Sequence, residues 1–195
     1  MTSITALLKD YRGGISGLLL FTGLLCWGNS LWIAGKAVVA QQLIESAWKS
    51  TLSEGHAVKP WPWADTWPVA AMEFPSQNET LFALAGSTGT SLAFGPGHLD
   101  GTALPEEPGT KVFSAHRDTH FSFLENIAIG EIFHLQSNNG VWQSYRVTEK
   151  TIVDSTKTQW MIDQNRNEVH LITCYPFNSA TLNPDRRFVV VAAQV

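Results

Sequence analysis

Residues 15–34 (ISGLLLFTGLLCWGNSLWIA) contain no charged side chain. A helix rises about 1.5 Å per residue, so a run of this length matches the roughly 30 Å hydrocarbon thickness of a bilayer. No polar face interrupts the run, which argues against a helix half-buried on a water-soluble core. Lys9 and Arg12 precede it and Lys36 follows it, a slim positive bias that places the N-terminus in the cytoplasm and the bulk of the chain outside. Trp27 and Trp32 stand near the far end of the run, where aromatic rings favour the membrane interface. A cleaved signal peptide would need a shorter apolar stretch and a small-residue cleavage pattern, to which only Ile33-Ala34-Gly35 comes close. The favoured reading is an uncleaved single-pass anchor over residues 15–35 after a cytoplasmic tail, residues 1–14.

Residues 36–66 read as a helical and Pro/Trp-rich linker. Within 36–52, Val39, Leu43, Ile44, Ala47 and Trp48 recur at helical spacing. Two readings stand equal: a helix that lifts the following domain off the membrane, or a helix packed on that domain. The prolines and tryptophans of Pro60-Trp61-Pro62-Trp63-Ala64-Asp65-Thr66-Trp67-Pro68 then break any helix and suit a stiff, extended segment. With 44% hydrophobic and 15% charged residues the chain can fill a core, and a net charge of -4 supplies no footprint for nucleic acid.

Residues 67–195 form the globular domain on this reading, built of short apolar runs separated by turn signals. Strands are expected over 69–74, 80–85, 111–115, 131–135, 141–153, 169–174 and 187–193, with short helical turns at 91–94 and 121–127. About eight short strands and no long helix predict a mainly β domain, a closed or nearly closed β-barrel. Two connections exceed what a hairpin needs, 154–168 (with Trp160 and Met161) and 175–186; such loops are often functional.

The cysteines are Cys26 and Cys174. Cys26 lies in the apolar run, so Cys174 is left as a free thiol, placed by the anchor outside the cytoplasm. Such a thiol is chemically exposed there, and its presence suggests use; the competing reading is a small buried hydrophobe. A thiol attacks a carbonyl as thiolate and so needs a base or a cation nearby. His116 closes one apolar strand as Cys174 closes another. Arg186 and Arg187 open the last strand, and strand alternation sends them to opposite faces, so at most one faces the thiol. A guanidinium can stabilise an oxyanion, as can the backbone N–H of Tyr175, the amide after the thiol. His134 and His170 sit in or before strands and read as structural, while His98 follows a glycine turn. His116 and His120 are spaced for a metal on a helix, but the segment reads as strand end and loop with no third ligand, so no metal site is expected.

The segment Leu171-Ile172-Thr173-Cys174 resembles the TLxTC signature of the sortase family, with His170 in place of the leading Thr. Ala115-His116-Arg117-Asp118-Thr119 resembles the family's GHRDT segment, Ala115 replacing Gly. Phe94-Gly95-Pro96-Gly97-His98 and Ala103-Leu104-Pro105 resemble the stretch before it, and Asp185-Arg186-Arg187-Phe188-Val189-Val190 the arginine strand. The chain order His, Cys, Arg is also the family's, whereas papain-like proteases place Cys before His. HRDT followed by His-Phe, together with TCYPF, is most similar to class D and proteobacterial-type sortases.

The resemblance implies an eight-stranded barrel and a cysteine transpeptidase. It implies that Cys174 attacks the Thr–Gly bond of an LPxTG-like sorting signal to form a thioacyl enzyme. His116 then protonates the leaving amine and deprotonates the incoming one, and Arg187, which counts onto the family's arginine position, orients substrate and supports the oxyanion. Substrate contact is expected from Thr173, Tyr175, Trp160 and His98, with the 154–168 loop cradling the signal. The implied partners are a protein bearing a C-terminal sorting signal, an amine acceptor and the membrane, with no cofactor. The implied location is the outer face of a bacterial inner membrane. Sequence leaves open a peptidase that hydrolyses the same intermediate, a non-enzymatic barrel that binds peptide or carbohydrate, and a metal protein using His116, His120 and Cys174.

Overall fold

The computed structural model describes residues 3–157, 160–181 and 184–195, and only the backbone of residues 3–16 and 34. The expected cytoplasmic tail, residues 1–14, therefore lies outside the described side chains. The chain divides into two compact units, Met1–Gln41 and Gln42–Val195. Helix α1 (Ser3–Glu54) begins in the first unit, and its stretch from Gly17 onward is long and apolar enough to cross a membrane by length and composition.

In the second unit the strands are β1 (Pro68–Phe74), β2 (Glu79–Ala85), β3 (Gly97–His98), β4 (Lys111–Ser114), β5 (Ile132–Gln136), β6 (Trp142–Asp154), β7 (Glu168–Tyr175) and β8 (Arg186–Gln194). They close a barrel in the order β1-β2-β3-β4-β7-β8-β6-β5, with β5 pairing back onto β1. Seven of the eight lie where periodicity predicts them. The eighth, β3, has two residues and no periodicity to read. Its glycine answers a steric demand: a Cβ on Gly97 would collide with the carbonyl oxygen of Gly86, and one on Gly95 would lie 2.7 Å from that of Phe82. β3 bridges β2 in parallel and β4 antiparallel, and so closes a wall that would otherwise be open. Helix α2 (Gly89–Leu92) starts two residues before the turn expected over 91–94 and overlaps it at residues 91–92, and a 3-10 turn at Ser122–Glu125 lies within the expected 121–127 segment.

Alternate residues of each strand fill the interior. Phe74, Phe113, Phe133, Leu135, Tyr145, Val147, Val169, Leu171, Val190 and Ala192 form one core with Phe121 and Leu124. Phe74 and Phe133 stack at 4.8 Å, and Phe133 and Tyr145 at 5.8 Å. Burial pushes the Tyr145 phenol up to about 12, while its hydroxyl donates to Gln143 Oε1 at 2.8 Å.

The C-terminal part of α1, from Gln42, belongs to the barrel unit. Ile44, Ala47 and Trp48 are buried, and Trp48 Nε1 donates to Gln136 Oε1 on β5 at 3.1 Å. Of the two readings of this helix, packing on the domain is the one found. The Pro/Trp segment that follows is not extended throughout. A turn brings Ala64 N–H to Trp61 O, Trp61 packs edge-on against Phe94, and Thr66 donates to Ala85 O, while Trp63 stays 83% exposed. Trp48→Ala is expected to cost about 3–5 kcal/mol, the range for emptying a buried aromatic site, as a lowered denaturation midpoint of the full-length protein in detergent.

Candidate active site

β7 is the spine of the site. Val169 and Leu171 enter the core, so alternation turns His170, Ile172 and Cys174 to the outer wall. β4 runs parallel to β7 with Lys111 opposite Val169 through Ser114 opposite Ile172. The ladder continues one step beyond β4, where Ala115 N–H donates to Ile172 O at 3.2 Å. His116 follows directly, just past the end of the ladder whose offset, continued, points toward Cys174. Phe113 and Ala115 enter the core, so His116 turns outward, and it is exposed. Ala115, where the resemblance has glycine, has no positive φ, so its Cβ adds no backbone strain.

β8 pairs antiparallel with β7, placing Arg187 directly opposite Cys174 and Arg186 opposite Tyr175. Directly opposed residues share a face with Cβ atoms about 4.5–5.5 Å apart. Arg187 thus stands on the wall with Cys174, while Arg186 lies over the Tyr175 ring, 5.4 Å from its centroid. Arg187 Nη1 donates to Pro184 O and to Arg186 O. Cys174 is half-buried and free of any disulfide. His116 is flanked by a tight turn in which Phe121 N–H donates to His116 O at 3.1 Å. His120, within electrostatic reach of His116, has its imidazole pKa lowered first by burial and then by the charge of His116.

The other expected site residues fall elsewhere. Thr173 alternates inward, is buried, and donates its hydroxyl to Ala115 O at 2.7 Å, tying β7 to the backbone that carries His116. The Tyr175 ring also points away from the thiol face and joins Phe177 and Phe188 at the barrel rim. His98 is buried against Phe113, and its Nε2 is engaged by Ala103 O at 2.9 Å and Thr102 Oγ1 at 3.1 Å. Trp160 lies on the outer wall, four residues up β7 from the thiol, where Nε1 donates to His170 Nδ1 at 3.0 Å. His170 Nδ1 is therefore the acceptor, and its Nε2 faces Glu168 Oε2 at 3.3 Å.

One residue of this neighbourhood had no role in the sequence reading. Arg117 is buried, and its Nη2 donates to Ser179 O at 2.7 Å and Thr181 O at 2.6 Å, in the connection between β7 and β8. Its Nε reaches Asp118 Oδ1 at 3.4 Å. The signal was available: if His116 faces out from an extended segment, the next side chain faces in, and a guanidinium facing in must find acceptors.

His170 links this wall to pH. Burial above all holds its imidazole below the ordinary value of 6.5, Arg166 acts in the same direction, and Glu168 and Glu149 oppose. As pH falls through about 6.5 the unfolded chain takes up a proton that the folded protein still refuses, so stability decreases with falling pH. Denaturation between about pH 7 and pH 5 should show this decline, and His170→Gln, which keeps an acceptor for Trp160 but cannot titrate, should flatten it. An unchanged slope would remove His170 as a source.

A family model for the sortase domain matches residues 72–195. Among curated proteins, Sortase D of Bacillus subtilis (strain 168) is 30% identical over 125 residues, covering 64% of this chain and 62% of the relative. Among solved structures, sortase A from Corynebacterium diphtheriae superposes with TM-score 0.60 and 26% identity over 68% of this chain and 63% of that one. Sortase C-1 from Actinomyces oris superposes with TM-score 0.58 and 29% identity over 66% of this chain and 72% of that one. The chain thus spans just under two thirds of the B. subtilis relative and of the C. diphtheriae chain.

Proposed function

Because the chain belongs to the sortase family, whose enzymes are cysteine transpeptidases, we propose that it is a membrane-anchored transpeptidase. Its substrate would be a protein with an LPxTG-like sorting signal, and its acceptor an amine. What supports this reading is the register of the strands: Cys174 on β7 pairs with Arg187 on β8, and β4, which ends two residues before His116, runs parallel to β7. Acyl transfer needs those three chemistries within reach of one carbonyl.

In the proposed reaction His116 takes the thiol proton, and the Cys174 thiolate attacks the carbonyl carbon of the Thr–Gly bond. The carbonyl electron pair moves onto oxygen, where Arg187 and the backbone N–H of Tyr175 stabilise it. The C–N bond breaks as His116 returns a proton to the leaving amine, and the acyl group stays on sulfur as a thioester. An incoming amine then loses a proton to His116, attacks the thioester and frees the thiol. The sorting signal lies along the outer wall near Ile172 and Trp160; residues 158–159 of the 154–168 loop expected to cradle it lie outside the described residues. Thr173 and His98 serve from the interior, by holding backbone. Residues 15–35 anchor the enzyme in a bacterial inner membrane with the barrel outside. The support is a helix of spanning length and the positive residues before it.

Water and an amine compete for the same thioester, so product analysis decides between transfer and hydrolysis. Mass spectrometry of a signal peptide incubated with and without an amine nucleophile should show an amine-dependent adduct; hydrolysis product alone at every amine concentration sinks the transferase. Cys174→Ala should abolish both products with the melting temperature unchanged. Arg187→Ala should lower kcat by about 10²–10³-fold, the cost of a lost oxyanion donor, and Arg186→Ala far less. The reverse order would mean that Arg186, not Arg187, faces the thiol.

A further inference from the structure

We infer that His170 is a positioning residue for the sorting signal, holding Trp160 as the end wall of the groove that leads to Cys174, and that it does so only as the neutral imidazole. The inference rests on the proposed contact between the signal and Trp160. Val112 on β4, His170 on β7 and Val191 on β8 stand opposite one another in a row. Their neighbours Phe113, Val169, Leu171, Val190 and Ala192 enter the core, so the row faces outward. Yet Val112 is only 1%, His170 3% and Val191 7% exposed. The outer wall is therefore covered at this level, and Trp160 packs on the middle of the row, its ring edge-on to the imidazole at 5.7 Å. Ile172 and Cys174, further along the same face, are only half-buried, so the wall opens between His170 and Ile172. Cys174 lies four residues from His170, about 13 Å along the strand, the length of a four-residue extended peptide. A signal whose carbonyl meets Cys174 and whose chain follows β7 runs up against Trp160.

One tautomer satisfies this contact. Trp160 Nε1 has a hydrogen to give and cannot accept, so at 3.0 Å His170 Nδ1 is the acceptor. The ring proton then sits on Nε2, which faces Glu168 Oε2 at 3.3 Å, while Glu168 Oε1 meets Arg166 Nε at 3.2 Å. The tie from Trp160 to β7 is direct and depends on no other part of the connection. A second proton on the imidazole would sit on Nδ1 and meet the indole N–H donor to donor, which turns the tie into a repulsion. The charged groups that act on the ring are Glu168 on its own strand, Arg166 just before that strand and Glu149 on β6. β4 and β8 set the apolar Val112 and Val191 against it. Burial outweighs the two carboxylates and keeps the ring neutral to below its ordinary 6.5. The tie therefore holds at neutral pH and breaks on the acid side.

The test reads kcat and KM for transfer from an LPxTG-like peptide to an amine, with the full-length protein in detergent, between about pH 7.5 and pH 5. His170→Leu removes the acceptor at similar bulk, and Trp160→Phe removes the donor but keeps a ring. Each should raise KM about tenfold at neutral pH, the scale of one lost hydrogen bond, with the change in KM rather than kcat. Combined, they should cost no more than either alone, because both remove the same contact. In the wild type KM should rise as pH falls below 6.5, and His170→Gln, which accepts but does not titrate, should remove that rise. The Trp160→Phe measurement decides the tie even where His170→Leu does not fold. An unchanged KM in Trp160→Phe, a loss in kcat alone, losses that multiply in the double mutant, or an acid rise in KM that survives His170→Gln would each overturn the positioning role. Trp160→Ala separates this from the reading beneath it. An unchanged KM there takes Trp160 out of the signal's path, whereas a raised KM there beside a wild-type KM in folded His170→Leu rejects His170 alone.

Discussion

The site depends on the parallel pairing of β4 with β7. Parallel neighbours cannot be joined by a hairpin, so the chain leaves β4, builds β5 and β6 on the far side of the barrel, and returns to lay β7 beside β4. That detour brings His116 and Cys174, far apart in sequence, to the same end of adjacent strands. Register is what makes the pairing specific. Side chains alternate with a period of two, so a slip of one residue would send Cys174 inward and bring Arg186 rather than Arg187 to the wall. Leu171 and Phe113 in the core, and the Thr173 hydroxyl on Ala115 O, hold the register against such a slip.

Around this ladder the connections are fastened by buried donors rather than by apolar packing. Lys111 Nζ donates to Glu107 O at 2.7 Å and Gly109 O at 2.9 Å, and burial lowers the pKa of its ammonium. Thr110 donates to Asp163 O, and Arg117 to Ser179 O and Thr181 O. Each removes a polar side chain from water and returns the cost by satisfying loop carbonyls that regular structure leaves unpaired. The barrel supplies a rigid wall, and the inward-facing donors of β4 and its neighbours decide how loops drape over it.

Much of this was legible without coordinates, because strands and reacting residues leave local marks. Seven strands announce themselves by apolar runs between turn signals, and His116, Cys174 and the arginine pair stand at strand ends where motif and alternation both mark them. β3 left no mark, since two residues cannot show a period. The second half of α1 carried a helical stripe that fits a free helix and a packed one equally, and only the burial of Ile44 and Trp48 separates them. Arg117 was given no role, although alternation from an outward His116 would have turned it inward. Thr173 and His98 sit close to the motif in sequence, yet both face the interior.

By itself, then, the sequence determined the apolar run of spanning length, the strand content of the domain, and the identity of the chemical groups available to it. These follow from local patterns: charge, period and residue type. Tertiary structure decided which groups share a face, which arginine stands opposite the thiol, and which polar side chains turn inward to hold loops. Those outcomes depend on pairing between strands distant in the chain, and register across a closed barrel is a property of all its strands together.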